Sequence, residues 1–409
     1  MDSKKIYVSI ALGKNTVPAG TLWSYYRNGR ETASFEYFPE WLTLPERFAL
    51  EPGLQLTEGA FHTPQGMSLF GAIGDSAPDR WGRILMRRNE ERRVKKTGEA
   101  ARTLTELDYL LGINDEARQG ALRFSENPDG PFLSLPKRNA IPPLLALPKL
   151  LSATERFLDS KESDEDLKLL LAPGSSLGGA RPKASVYEKN GSLAIAKFPR
   201  KNDEFNLVIW EAAALTLAHN AGIRVPAWHL EQVLGKPVLI IKRFDRSGPN
   251  RIPFLSAMSM LGAQDNESHS YLEIAYALSQ YGAEPDKDLA ELWRRIVFNI
   301  LISNTDDHLR NHGFLYESPN GWRLSPAYDM NPTPLEMGPH ILSTAIDFSG
   351  NEASLETALS VIADFRISKK DADTIIQTVS GVVKSWKTVA RALGVHRSEI
   401  ERMATAFCV

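Results

Sequence analysis

Asn304-Thr-Asp-Asp-His-Leu-Arg-Asn311 closes the apolar stretch from Trp293 to Ile302 and is followed, eighteen residues later, by Asp329 in Tyr-Asp-Met. Asp306 and Asn311 have the Asp-x-x-x-x-Asn spacing in which a carboxylate accepts the proton of a substrate hydroxyl and an amide oxygen holds a magnesium ion. Asp329 would supply a second oxygen ligand. Magnesium prefers oxygen donors and keeps substrate phosphates in its shell, so one carboxylate, one amide oxygen and a triphosphate suffice. The pattern predicts a phosphotransfer site. Two other readings compete with it. The acids could simply mark a polar helix terminus, although the apolar stretch before them would bury the Asn and Asp that follow. His308 and His312, four apart, have the spacing of zinc ligands on one helix face. Against that, no glutamate follows His308 and a glycine follows His312 directly.

Working outward, Leu193-Ala-Ile-Ala-Lys197 is an apolar strand ending in a lysine. It has the form of the kinase strand whose lysine grips nucleotide phosphates. Glu211, on the helix predicted from Phe205 to Asn220, is placed to pair with Lys197 and aim its ammonium. Read alone, Lys197 is equally a lysine snorkelling from an edge strand. Upstream lies Gly174-Ser-Ser-Leu-Gly-Gly-Ala-Arg-Pro-Lys183, whose glycines let backbone N–H groups approach a phosphate. It matches neither common phosphate-loop formula, and glycine pairs also mark ordinary tight turns. Its place before the lysine strand favours phosphate binding. A phosphoserine at Ser175 or Ser176 would repel a nucleotide there and reshape the loop. Lys242-Arg-Phe-Asp245 ends the last strand pair, where backbone groups and the Phe244 ring could meet a base. Phe244 as core and Asp245 as a turn starter fit the spacing as well.

The 409 residues leave room for two or three domains. With 48 basic and 50 acidic residues, the net charge of −2 gives no global field for nucleic acid or anionic lipid. The basic run from Arg80 to Lys96 is read first as a solvated helix face, and second as a phosphate-contacting surface. Cys408 is the only cysteine, which excludes an internal disulfide framework and a cysteine zinc site. Met1-Asp-Ser-Lys-Lys runs straight into strand-like Ile6–Ile10, and no run of 18 apolar residues occurs. The expectation is a cytoplasmic protein with no membrane contact. Alternation predicts strands at Lys5–Leu12, Thr21–Arg27 and Thr32–Phe38, then a helix from Ala77. Five prolines and two polar turn clusters between Glu126 and Pro143 mark a domain connection. Further strands are expected at Ala184–Tyr187, Ser192–Phe198, Trp228–Val233 and Lys236–Arg243. From about Phe254 the chain reads as mostly helical, with Ser368 as an N-cap.

With Ser-Leu-Gly-Gly-Ala-Arg-Pro-Lys183, Ala-Ile-Ala-Lys197, Lys-Arg-Phe-Asp-Arg246, Asn-Thr-Asp-Asp-His-Leu-Arg-Asn311 and Ser-Pro-Ala-Tyr-Asp329 in order, the chain resembles the HipA family of serine/threonine kinases over nearly its whole length. Tyr37-Phe-Pro-Glu-Trp41 and Gly74-Asp-Ser-Ala-Pro-Asp79-Arg look like the extra domain that precedes the kinase lobes in those proteins. The resemblance implies an α+β, protein-kinase-like, two-lobed fold with a β-rich N-terminal module at 1–130. A kinase N-lobe-like region would follow at 131–245, then a helical C-terminal lobe at 246–409. It implies Asp306 as catalytic base, Asn311 and Asp329 as magnesium ligands, and Lys197 on the ATP phosphates. Ser176, Gly178, Gly179, Ala180, Lys183, Arg243, Phe244 and His308 would complete the ATP site. Ser176 aligns with the serine autophosphorylated in the family, with Ser175 as an additional candidate. Members commonly act as toxins held by a small helix-turn-helix antitoxin, meet DNA only through it, and phosphorylate aminoacyl-tRNA synthetases.

Two departures stand out. Arg181-Pro182 replaces the more usual Gln-Glu pair, and the proline removes a backbone donor from the phosphate cradle. Lys242 stands where an acidic residue can occur, leaving adenine to backbone groups. Two alternatives remain at this stage: a small-molecule phosphotransferase of the aminoglycoside-kinase type, and a catalytically silent subunit of an antitoxin–DNA complex.

Overall fold

Period-two alternation builds the first sheet of the computed structural model, which describes residues 3–128, 130–133, 141–173, 179–317 and 319–408. Ser3–Leu12, Asn15–Arg27 and Arg30–Tyr37 form an antiparallel meander that buries Ile6, Val8, Ile10, Leu22 and Phe35 completely. Ala60–His62 pairs with the third strand and Leu122–Ser125 with the first. Neither short strand was foreseen, because three or four residues are too few to display a period. At Gly20 a Cβ would sit 2.3 Å from the Glu36 carbonyl oxygen, so the second and third strands approach only because that position is glycine.

The chain divides into two units. One comprises Met1–Lys201 with Gln232–Leu255, the other Asn202–Glu231 with Ser256–Val409. In the first, the helix Arg80–Thr97 starts where the Asp79 carboxylate accepts the Gly82 N–H at 2.9 Å, and stops at Gly98 in the left-handed region. Its basic run is largely matched by acids: Arg83 pairs with Glu106, Arg88 and Arg92 with Glu162, Arg93 with Glu90, and Lys96 with Asp164. That favours the solvated-face reading over a nucleic-acid surface. Trp81 and Leu85 on this helix share one core with Leu150, Leu151 and Phe157 of Leu147–Leu158, Leu167 and Leu170 of Asp164–Leu171, and Ala194 and Ala196 of the lysine strand. Antiparallel pairing joins Lys183–Tyr187 to Leu193–Lys197, and that strand to Lys236–Lys242.

The second unit is mainly helical, as expected. Leu207–Asn220, Tyr271–Tyr281, Pro285–Leu301 and Lys369–Val383 are its longer helices, and the Ser368 side chain caps the last by accepting the Asp371 N–H. A hairpin of Gly313–Glu317 and Gly321–Leu324 interrupts the helices and carries the chain from Asn311 toward Asp329. No helix among the described residues is long and apolar enough to cross a membrane.

Candidate active site

Pro285–Leu301 is the element that aims the central loop. It buries Leu289, Leu292, Trp293, Ile296, Val297 and Phe298 and ends in a Schellman turn. Ser303 takes φ +49°, its N–H donates to the Ile300 carbonyl at 3.2 Å, and the Asn304 N–H reaches back to Asn299 at 2.9 Å. A left-handed serine is strained, and it turns the chain sharply into Asn304.

Beyond that turn Asp306 is exposed while Asn311 is 4 % exposed. The Asp306 carbonyl accepts the His308 N–H at 3.0 Å and the Asn311 Nδ2 at 2.9 Å. The amide nitrogen of Asn311 is thereby fixed, and its Oδ1, buried, has no hydrogen-bond partner among the described residues. Burying an amide oxygen without a partner costs free energy, so an oriented, unsatisfied oxygen here fits a hard cation. His308 Nδ1 is likewise buried without a partner among those residues.

The segment bearing Asp329 is laid against this loop by four hydrogen bonds. Tyr328 Oη donates to the Arg310 carbonyl at 2.8 Å, the Asn331 N–H to Asn304 Oδ1 at 3.2 Å, the Thr333 N–H to the Ser303 carbonyl at 3.1 Å, and Thr305 Oγ1 to Thr333 Oγ1 at 3.1 Å. Asp329 itself has φ +59°. Non-glycine residues in that region are uncommon and gather at functional sites. The second unit thus carries Asp306, His308 and Asn311 on one loop and lays the segment that bears Asp329 against it.

Under the loop lies a cluster that the sequence did not reveal. Asp307 is 3 % exposed. Its Oδ2 accepts Tyr271 Oη, Asn299 Nδ2 at 2.6 Å and His312 Nε2 at 2.9 Å. Burial pushes the Asp307 carboxyl up, but the charge of His312 and the hydrogen bonds from His312 and Tyr271 outweigh it and hold the group below the usual carboxylate range. Tyr271 moves the other way, raised by burial and by the Asp307 charge. With Nε2 of His312 spent on Asp307, the zinc reading of His308 and His312 loses its main donor.

Except for Glu211, the remaining predicted residues belong to the first unit. Lys183 and Lys197 face each other in register across their strand pair. Lys183 is buried and bonded to Asp79 at 2.9 Å, which ties the end of the glycine-rich turn to the cap of Arg80–Thr97. The Gly179 carbonyl accepts the Trp81 N–H at 3.3 Å, and the Ala180 carbonyl accepts Arg200 at 2.6 Å. Asp79 was the missed partner, and a lysine entering a buried strand was the available signal for it. Ser175, Ser176 and Gly178 lie outside the described residues.

Phe244 is half-buried, its ring 6.3 Å from that of Phe254. Arg243 is 2 % exposed, and its guanidinium is committed internally: it bonds Asp245, the Ala117 carbonyl at 2.9 Å and the Arg118 carbonyl at 3.2 Å. Asp245 also accepts Arg246 at 2.7 Å and the Gly120 N–H at 2.8 Å. It is therefore the anchor of a buried arginine cluster rather than a turn starter. Burial pushes its carboxyl up, and the charges of Arg243 and Arg246 bring it well below the usual range. Glu211 is buried on Leu207–Asn220, in the other unit from Lys197.

Comparison with known proteins places this geometry. A protein of Sinorhizobium fredii named "Putative kinase Y4dM" is 33% identical over 207 residues, covering 43% of this chain and 50% of that protein. A second from the same organism, "Putative kinase Y4mE", is 23% identical over 256 residues, covering 56% and 53%. The chain thus spans about half the length of the curated relatives it matches. Among solved structures, HipA of Shewanella oneidensis MR-1, determined with HipB and its operator DNA as a toxin–antitoxin system, superposes with a TM-score of 0.70 at 17% identity, over 98% of this chain and 94% of that one. The fold is the kinase-like fold of HipA. The model of the family described as "HipA-like C-terminal domain" matches residues 175–386, more than half of the 409 residues, and the chain belongs to that family.

Proposed function

We propose that this protein is an ATP- and magnesium-dependent serine/threonine protein kinase. The observation that carries the reading is Asn311: a buried amide oxygen without a partner among the described residues, its nitrogen pinned to the Asp306 carbonyl, beside an aspartate held in the left-handed region. Asn311 Oδ1 and the Asp329 carboxylate would hold magnesium, which when bound offsets the charge of the transferring phosphoryl group. Asp306, exposed at the loop, accepts the proton of the substrate hydroxyl as its oxygen attacks the γ-phosphorus and the bond to the β-phosphate oxygen breaks. Lys197 would grip the ATP phosphates, with the turn ending at Gly179, Ala180 and Lys183 on the same strand pair. Catalysis of this kind is mostly positioning and electrostatics.

The naming of the Sinorhizobium relatives as kinases and the HipA-like fold support this reading. By the same likeness the chain acts as a toxin, is bound by a small helix-turn-helix antitoxin that alone contacts DNA, and modifies a translation component such as an aminoacyl-tRNA synthetase. Autophosphorylation at Ser176 or Ser175 switches it off. General-base loss costs about 10² to 10⁴ in rate, so Asp306→Ala should lose nearly all phosphate transfer from ATP while keeping the melting temperature of the parent. Full transfer by that variant would overturn the assignment.

A further inference from the structure

Asp306 and Asn311 are not held by their own side chains alone. The residues that follow each of them, Asp307 and His312, are bonded to each other at 2.9 Å, so one hydrogen bond closes the turn that holds Asn311 and begins next to Asp306. The same Asp307 oxygen takes Tyr271 Oη from Tyr271–Tyr281 and Asn299 Nδ2 from Pro285–Leu301. An ionised carboxylate only accepts, so each of these partners is fixed as donor, and His312 carries its proton on Nε2. The peptide carbonyl of Asp307 is held too, accepting Thr344 Oγ1 at 2.7 Å.

The fixation runs on from there. Asn299 Oδ1 accepts Asn304 Nδ2 at 3.1 Å, and Asn304 Oδ1 accepts the N–H of Asn331 at 3.2 Å, two residues past Asp329. Asp307 therefore stands at the head of a buried relay touching both sides of the loop and the backbone that presents Asp329.

We propose that Asp307 is the positioning residue of this site, clamping the loop through His312 and transmitting its register through Asn299 and Asn304 to the Asp329 segment. The proposal rests on the phosphotransfer reading for its catalytic consequence, but the clamp itself is a claim about the loop. Asp307 touches neither substrate nor metal; it sets where Asp306 and Asn311 point.

Three variants test it in the full-length chain: Asp307→Asn, His312→Leu and His312→Gln. Glutamine can present a donor near the place of Nε2, and leucine cannot. Two readouts are taken, backbone amide exchange and steady-state kinetics of phosphate transfer from ATP–magnesium. The Asn304 and Asn311 amides, bonded to the Asn299 and His308 carbonyls, should lose protection by about tenfold or more in Asp307→Asn and His312→Leu. His312→Gln should keep it, as should the amides of Leu207–Asn220 in all three. Misplacement of about 1 Å costs on the order of 100-fold, so kcat should fall by that factor in the first two with KM for ATP within about threefold, and His312→Gln should recover most of it. Unchanged loop protection in His312→Leu overturns the clamp whether or not the protein transfers phosphate. Equal losses in His312→Leu and His312→Gln overturn it too, since packing alone would then account for both. Lost protection rescued by glutamine, in a parent chain that transfers no phosphate, upholds the clamp and sinks the kinase reading instead.

Discussion

Replacing Asp245 with alanine should be among the most damaging single changes in the first unit. The carboxylate and the Arg243 side chain are both 0 % exposed, and Asp245 receives Arg243 at 2.6 Å, Arg246 at 2.7 Å and the Gly120 N–H at 2.8 Å. Truncation strands two guanidinium charges in a poorly solvated site. Breaking one buried pair this way costs about 3–5 kcal/mol, and an orphaned buried N–H adds about 1–3 kcal/mol. These terms share partners and do not add fully, so the expected loss is about 5 kcal/mol, a large part of the roughly 5–15 kcal/mol that holds a domain folded. With a urea slope of about 2 kcal/mol/M, the midpoint of the transition of the first unit, followed by tryptophan fluorescence, should fall by about 2.5 M. The sign of the pH dependence is set by the lowered carboxyl. A depressed group contributes fully above its unfolded value and loses that contribution only as pH falls through its folded one. The gap between parent and variant should therefore stay level from pH 5 to 8. A combined Asp245→Leu, Arg243→Met, Arg246→Met chain should regain much of the loss, because no charge is then left unpaired. A midpoint shift below about 0.3 M in Asp245→Ala would refute the reasoning, as would a triple variant less stable than the single one.

Two further outcomes are expected. Burial pushes the Glu51 carboxyl from 4.5 up to about 7, against its hydrogen bond from the Ala72 N–H. A raised acid destabilises once it ionises, so Glu51→Gln should gain about 3 kcal/mol at pH 8 and under about 1 kcal/mol at pH 5, read as a pH-dependent shift in urea midpoint. An equal gain at both pH values would remove the cause given. Asp329→Asn keeps a residue that tolerates the left-handed region, so its melting temperature should stay within about 2 °C of the parent, while magnesium-dependent transfer falls on the order of 100-fold or more. Retained transfer would take Asp329 out of the site.

The long strands, the lysine strand and the order of Asp306, Asn311 and Asp329 were legible because each is written in a short local pattern. Asp307 and His312 were in plain view within the same motif, yet their role depends on Tyr271 and Asn299, 36 and 8 residues from Asp307. Only packing brings these together. Lys183 and Asp79 lie 104 residues apart, and Gly120 and Asp245 lie 125 apart, so no local period records them. The hairpin Gly313–Glu317 and Gly321–Leu324 was hidden differently, by an expectation of helix that swept over the Asn320-Gly321 turn signal.

The interleaving of the two units has a consequence for how the chain is born. Gln232–Leu255 belongs to the first unit, and Asn202–Glu231 to the second. A ribosome that has made the N-terminal sheet and its helices must still extend past Asp245 before the arginine cluster around Gly120 can close. By then Leu207–Asn220 has already emerged, and it must wait for Trp386 and Phe407, stacked 4.1 Å apart near the far end, with Trp210 against them. Such late, long-range closure makes assembly slow. A chain cut short by premature termination would lose the stacked pair that covers Trp210 even if the loop from Asn304 to Asn311 had been made.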